Sequence, residues 1–356
     1  MNLYGQELSR RDFLKLVGSV SQIGGIECSE LQEGNSRGVR TVQVKTAEGL
    51  EYTIAPDCGM NIVSCSFRGI PVCWKTGTGV VSPALYDPQL NGWLRSFSGG
   101  LLVTCGLSQI GAPCVDDGVA YGLHGRISNT PAETVSARGE WVGDRYCMVF
   151  EGTVRESMAL GQRLVLRRKV TSWLDSAQIT VEDIISNESW YETPLLTSYH
   201  INFGFPLVSP SAKVDFHHQV SAECYNDASH IRGLTDIDGC DAPTKNFAEQ
   251  IYLQHLQPDH GFCSFTVQNQ VEQQNLAVTV RYSENLDHLI HWRQFGEGDY
   301  VLGFEPANTT IHGRAEERAN NHIVTLKPQD FVRRILSNTQ FILRTQIASA
   351  SWTRAR

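Results

Sequence analysis

Proton transfer at neutral pH calls for a carboxylate and an imidazole, whose reference pKa values lie near about 4.3 and about 6.5. Three short segments of this sequence set such groups among glycine, proline and aromatic residues. They are Tyr121-Gly122-Leu123-His124-Gly125-Arg126, Leu195-Leu196-Thr197-Ser198-Tyr199-His200-Ile201-Asn202-Phe203-Gly204 and Tyr300-Val301-Leu302-Gly303-Phe304-Glu305-Pro306-Ala307-Asn308. Glu305 follows five mostly apolar residues, where a buried strand would otherwise continue, and Pro306 is expected to end the ladder. An unpaired carboxylate there is costly, so it is either capped by a nearby arginine or put to use. His200, in its apolar run, is either a core histidine bonded to backbone or a working imidazole. His124 lies in a loop whose glycines turn chemistry alone could explain.

Other chemistries lack residues. Gly-x-x-x-x-Gly-Lys-Ser/Thr, Gly-x-Gly-x-x-Gly and Gly-x-Ser-x-Gly do not occur, so nucleotide cradles and the hydrolase elbow have no support. Asp236-Ile237-Asp238-Gly239 imitates the opening of a calcium loop, but its glycine comes two positions early and Phe247 stands where a bidentate Glu is needed. It reads better as a surface turn. The pairs His217/His218, His255/His260 and His288/His291 each lack a nearby third ligand. The 10 cysteines include no Cys-x-x-Cys, and several sit in apolar runs, which predicts buried reduced thiols.

The elements that must position these groups are strands. Residues 41–46, 178–183 and 277–282 alternate with period two. Hairpins are expected from 61–67 with 70–74 and from 163–173 with 177–185, and a further pair from 322–326 with 331–337, with 341–344 continuing the sheet. Helical periodicity is confined to about Ser9 to Val20, with Ser9 as N-cap and Phe13, Leu14, Leu16, Val17 and Val20 facing a core. That pattern predicts an all-β, large antiparallel sandwich with a short N-terminal helix. No linker or repeat divides the chain, so a single domain over 1–356 is expected, with a helical extension over 1–40. Residues 77–122 and 224–246 read as long irregular segments, which often carry function in compact folds.

The 356 residues are 41% hydrophobic and 19% charged, an ordinary composition with material for a large core. Thirty basic against 38 acidic residues leave a net charge of −8. The densest basic stretch, Arg163 to Lys169, alternates with Leu and Val like a half-exposed strand. A nucleic-acid partner is therefore not expected. Ser9-Arg10-Arg11-Asp12-Phe13-Leu14-Lys15 imitates a twin-arginine export signal, but the residues after Lys15 are too polar for an h-region and no Ala-x-Ala-like site follows. With no stretch of about 18 apolar residues, a cytoplasmic protein without a membrane partner is the expectation.

The three segments, in this order, resemble the aldose 1-epimerase (galactose mutarotase-like) family, and most closely its poorly characterised bacterial aldose 1-epimerase-like branch. The resemblance runs from Leu3-Tyr4-Gly5 through Gly59-Met60-Asn61-Ile62, Trp93 to Leu102, Thr104 to Leu107 and Leu123 to Arg126 to Gly303-Phe304-Glu305-Pro306-Ala307-Asn308. It implies a β-supersandwich with a sugar cleft on a concave sheet face. It also implies Glu305 as general base, His200 as general acid and His124 as a substrate-binding residue. For the family's arginine, Arg95 is the candidate and Arg126 the alternative. The sugar-binding Asp has no clear match; Asp236, Asp238 and Asp241 lie in the right part of the chain, and Glu249 is a substitute. Asn202 stands where galactose mutarotases carry a different sequence, which implies an altered pocket floor.

Mutarotation suits these residue types. A proton leaves the anomeric hydroxyl as another reaches the ring oxygen, the C1–C2 bond rotates in the open aldehyde, and closure reverses both transfers. The resemblance implies no metal and no cofactor, a small carbohydrate as partner, and leaves a homodimer open. Trp93, Trp292 and Phe304 are candidates for the apolar surface under a sugar ring. The rival expectations are a carbohydrate-binding or sensor protein without turnover, and another epimerase or lyase chemistry on the same scaffold.

Overall fold

A computed structural model describes residues 1–271 and 274–345. Three larger antiparallel sheets carry the fold. An eight-stranded sheet runs in the order Glu133–Val142, Arg145–Ser157, Arg163–Trp173, Gln178–Asn187, Phe331–Thr345, Gln274–Ser283, Phe262–Val271 and Lys213–Phe216. A six-stranded sheet runs Gln219–Cys224, Gln250–Leu256, His288–Phe295, Tyr300–Ala307, Leu196–Phe203 and Val103–Leu107. The third, five-stranded, is built from residues 25–71. This is the expected large antiparallel sandwich.

Alternation explains which faces meet. Leu166 and Val170 of the eight-stranded sheet, Tyr199, Ile201 and Phe304 of the six-stranded sheet, and Val42 and Ile54 of the third sheet share one buried core. The opposite face of the six-stranded sheet holds a second apolar cluster with Val103, Cys105, Leu196, Ile290 and Ala307, covered by Trp93 and Phe97. Leu196–Phe203 is consequently buried at every position, as a strand sandwiched on both faces must be.

The predicted hairpins 61–67/70–74 and 163–173/177–185 form, the first with a return strand of only Ile70–Pro71. The pair expected around residues 327–330 does not. Thr325–Leu326 pairs with Thr193–Pro194 instead, and Phe331–Thr345 inserts between Gln178–Asn187 and Gln274–Ser283 as one continuous strand. A turn fixes a local reversal, whereas the long strand finds more partners in the large sheet.

The N-terminal helix is shorter than its periodicity suggested. It spans Arg10–Leu14, and the Ser9 side chain caps the Asp12 amide as expected. Leu14 and Leu16 are exposed; of the expected apolar face only Phe13 is fully buried. The helix ends at the Lys15 cap, whose amide turns back to the Asp12 carbonyl at 3.2 Å, and Ser19, whose side chain accepts from the Ser21 amide, starts a separate turn over Val20–Gln22. Nor is the segment 1–40 a helical extension throughout, because Gly25–Glu30 is a strand of the third sheet. Seven of the cysteines are buried, Cys114 and Cys224 are half-buried, Cys28 is exposed, and all are free thiols. Among the described residues no helix is long and apolar enough to cross a membrane.

One polar network crosses the sandwich. Arg168 and Asp183, both with fully buried side chains, form a bidentate pair at 2.8 and 2.7 Å. Arg168 also donates to Thr104 Oγ1 (2.7 Å) and the Met60 carbonyl (3.1 Å), and Tyr199 donates to Asp183 Oδ2 at 2.7 Å. Removing one partner leaves the other charge buried and unpaired, a loss of about 3–5 kcal/mol. Asp183→Ala should lower the free energy of urea unfolding by that amount, and Arg168→Met combined with Asp183→Leu should recover most of it; a single variant within 1 kcal/mol of wild type (about the worth of a surface pair) would show that the network carries little.

Candidate active site

Antiparallel register places the two groups singled out above side by side. Ile201 pairs with Phe304 and Asn202 with Gly303, which sets His200 against Glu305 one step along. His200 Nε2 lies 3.3 Å from Glu305 Oε1. Ser198, two residues before His200 and hence on the same face, donates its hydroxyl to Glu305 Oε2 at 3.4 Å. Pro306 does not end the strand. It sits opposite Leu289, and Ala307 still pairs with both Ser198 and His288. In an antiparallel ladder each N–H serves one neighbour only, so the missing donor costs one bond rather than the strand.

Burial decides the charge of this pair. The two side chains are 5% and 3% exposed, and loss of hydration disfavours each charged form. Glu305 is pushed up to about 8, chiefly by burial, with Ser198 opposing and the nearby Glu249 adding. His200 is pulled down to about 3, again chiefly by burial, with His124 contributing. At neutral pH the proton therefore resides on Glu305, and His200 is a neutral imidazole. Among the described residues His200 Nδ1 has no hydrogen-bond partner.

Aromatic rings enclose the pair. Phe97 lies 5.2 Å, Trp292 5.3 Å and His124 6.0 Å from the His200 ring, centroid to centroid. Trp93 packs on Phe97 (4.4 Å) and on His124 (4.7 Å), and its Nε1 donates to Ser128 Oγ at 2.8 Å. Trp292 can lie across the sheet only because Gly303 has no side chain: a Cβ there would stand 2.7 Å from Trp292 Cε3 and 3.5 Å from His200 Cε1. His124 itself has φ +55° and Gly125 φ +72°, a left-handed pair that is costly for a histidine and typical of functional loops. A Cβ on Gly125 would meet the Gly106 and Gln109 carbonyls at 2.5 Å. The Gly111 amide donates to His124 Nδ1 at 3.4 Å, which leaves the proton on Nε2. Desolvation lowers His124 to about 4.

The remaining sequence candidates divide. Glu249 belongs to the site: its carboxylate accepts from Trp292 Nε1 at 2.9 Å and its charge is felt at Glu305. Asn202 lies on the same face as His200, but its amide is committed to the Gly100 and His200 carbonyls (3.1 and 3.2 Å), leaving Oδ1 buried and, among the described residues, unpaired. Arg95 follows Trp93 in a short 3₁₀ helix and turns outward, its side chain 80% exposed and 3.9 Å from Asp87. Arg126 lines a separate cavity. Asp238 lies against the edge of the eight-stranded sheet, where its carbonyl accepts from the Val214 amide. Asp236 sits in a turn closed by its carbonyl and the Gly239 amide. Asp241 is held by Arg293 and Arg232, each at 3.2 Å. Phe304 faces the inter-sheet core, stacked on His291 at 4.9 Å. Period two alone puts it opposite to Glu305. Ser198 and Gly303 carried that same signal, two residues before His200 and Glu305, whereas Phe97 and Trp74, which meets Trp292 at 6.1 Å, had no local one.

The fold is that of the galactose mutarotase-like sandwiches. A candidate aldose 1-epimerase from Klebsiella pneumoniae matches with a TM-score of 0.82 and 25% identity over 90% of this chain and 83% of its own. A galactose mutarotase-like protein from Clostridium acetobutylicum (TM-score 0.58, 16% identity, 90% and 99% covered) and the galactose 1-epimerase of Lactobacillus acidophilus (0.55, 11%, 90% and 99%) share the fold. No curated protein matches the sequence. Residues 36–337 match the model of DUF4432, a domain of unknown function, and the chain belongs to that family.

The raised Glu305 value has a sign that stability measurements can read. It lies above the ordinary 4.5, so the contribution of the neutral carboxyl is complete below about pH 4.5 and is lost as pH rises through about 8. His200 acts oppositely, costing stability as pH falls from about 6.5 towards about 3. Wild-type protein should lose unfolding free energy relative to Glu305→Gln between about pH 5 and pH 9; parallel curves would mean that Glu305 is already ionised at neutral pH.

Proposed function

We propose that this protein is an aldose 1-epimerase-like enzyme that interconverts the anomers of a monosaccharide or sugar derivative, with Glu305 as general base and His200 as general acid. The observation that supports this best is the 3.3 Å approach of His200 Nε2 to Glu305 Oε1 on a sheet face walled by aromatic rings.

The proton inventory fits the reaction. Ring opening takes a proton from the anomeric hydroxyl to Glu305 and gives one from His200 to the ring oxygen, leaving a carboxylic acid and a neutral imidazole. That is the state burial favours in the empty site. The ring-closed state needs the same number of protons, with one moved from Glu305 to His200. Sugar hydroxyls beside the carboxylate would supply the hydrogen bonds that favour this charged form. Rotation about C1–C2 between the two steps exchanges the anomers, and each positioned transfer is worth about 10²–10⁴-fold.

Recognition falls to the rim. Trp292 offers an apolar ring face beside His200, and Glu249, bonded to Trp292 through one oxygen, keeps its other oxygen for a sugar hydroxyl. It thereby takes the part for which no aspartate of the 236–241 segment is in place. His124, with its proton on Nε2, can donate to a sugar oxygen across from His200. Because the pair is almost fully covered, a ligand reaches it only when a covering side chain moves.

Anomer exchange followed by NMR across a panel of aldoses should find an accelerated substrate. On it, folded Glu305→Gln and His200→Ala variants should each lose about 10²–10⁴-fold in kcat. Tight binding without exchange, or full rates in either variant, would refute the assignment, and deuterium entering a carbon position would indicate a different epimerisation. Glu249→Gln should raise KM about tenfold while changing kcat less; an unchanged KM would remove Glu249 from sugar recognition.

A further inference from the structure

Arg126, the alternative for the family's arginine, lies on the far side of the His124 loop. The loop forms a wall. Gly106 donates to the His124 carbonyl (3.0 Å) and accepts from the Arg126 amide (3.1 Å). Tyr86 donates its hydroxyl to the Gly125 carbonyl (2.8 Å), and the Leu123 amide donates to the Leu90 carbonyl (2.8 Å). His124 faces the His200 ring on one side. On the other side Gly125 and Arg126 border a cavity of about 760 Å³, closed by the strands Cys114–Asp116 and Val119–Tyr121 and by residues 156–158.

Three features give this cavity a ligand chemistry. Its size lies in the range of small-molecule sites, about 300–1,000 Å³. Its mouth carries Leu90, Val115, Val119 and Met158, all exposed large apolar side chains, a concentration that monomer surfaces rarely leave unused. Among the described residues the Arg126 guanidinium makes no hydrogen bond or ion pair, although it is exposed in an apolar wall where a planar fork favours a carboxylate. The other charged group in the lining, Glu156, is already satisfied: it accepts from the Leu107 amide at 2.7 Å, from the Ser108 hydroxyl and from Gln162 at 3.4 Å. A lone free cation beside a fixed carboxylate suits a ligand of single negative charge. A dianion would face Glu156 without a second counter-charge.

We propose that this cavity is a second ligand site, distinct from the Glu305–His200 cleft, which binds a small amphiphilic monocarboxylate with its carboxylate on Arg126 and its apolar body against Val115 and Val119.

Octanoate and its neutral isostere octanamide test this by titration calorimetry. Wild-type protein should bind octanoate about tenfold more tightly than octanamide, the worth of one charge-assisted pair. Arg126→Gln, which breaks no hydrogen bond or ion pair among the described residues, should abolish that preference, and Ala120→Trp, which narrows the cavity, should weaken both ligands. Glu305→Gln should bind octanoate as wild type does. Absence of octanoate binding, an octanoate preference that survives in Arg126→Gln, or its loss in Glu305→Gln would overturn the proposal, the last by moving the ligand into the cleft. None of these outcomes depends on whether the cleft turns over a sugar.

Discussion

The site rests on a charge pair that never touches it. Arg168 and Asp183 stand on neighbouring strands of the eight-stranded sheet and reach across the core to Tyr199 and Thr104, which pair with each other in the six-stranded sheet. Tyr199 is the residue before His200, with its side chain on the opposite face. A buried ion pair tolerates little displacement, because its attraction must offset the desolvation of both ions. Tying Tyr199 to Asp183 therefore sets the height and register of Leu196–Phe203, and with it the direction in which His200 projects.

From that fixed strand the chemistry follows by dielectric argument. The face that carries His200 and Glu305 also carries Val103, Cys105, Leu196 and Ile290, and Trp93 and Phe97 cover it. An acid and an imidazole brought together in water would form an ion pair. Brought together in an apolar cluster, they keep one proton between them as a neutral pair. The aromatic enclosure thus sets the protonation state of the pair.

The His124 loop shows how closely two environments can adjoin. Its left-handed backbone at His124 and Gly125 sends the side chains of His124 and Arg126 to opposite sides, one into the aromatic cluster and one into a cavity with an exposed apolar rim. Residues two apart in sequence thereby serve different surfaces, which is why Arg126 belongs to a separate pocket despite its place in the motif.

Much of this was legible in the sequence. Alternation marked the strands and their inward faces, including Arg168, which shares the parity of Leu164, Leu166 and Val170. A glutamate in an apolar run before a proline, and a histidine in another, marked the pair, and Ser9 marked the start of the helix. These signals are local, since period-two geometry and capping depend only on a few neighbouring residues. What the tertiary structure decided is everything that depends on register between distant segments: the partner of Arg168, the contact of His200 with Glu305 across 105 positions, the insertion of Phe331–Thr345 into the large sheet, the outward turn of Arg95, and the bond between Glu249 and Trp292. A one-residue slip would turn each of these side chains to the other face. Only the packing of whole sheets holds that register, so no stretch of the chain read alone contains it.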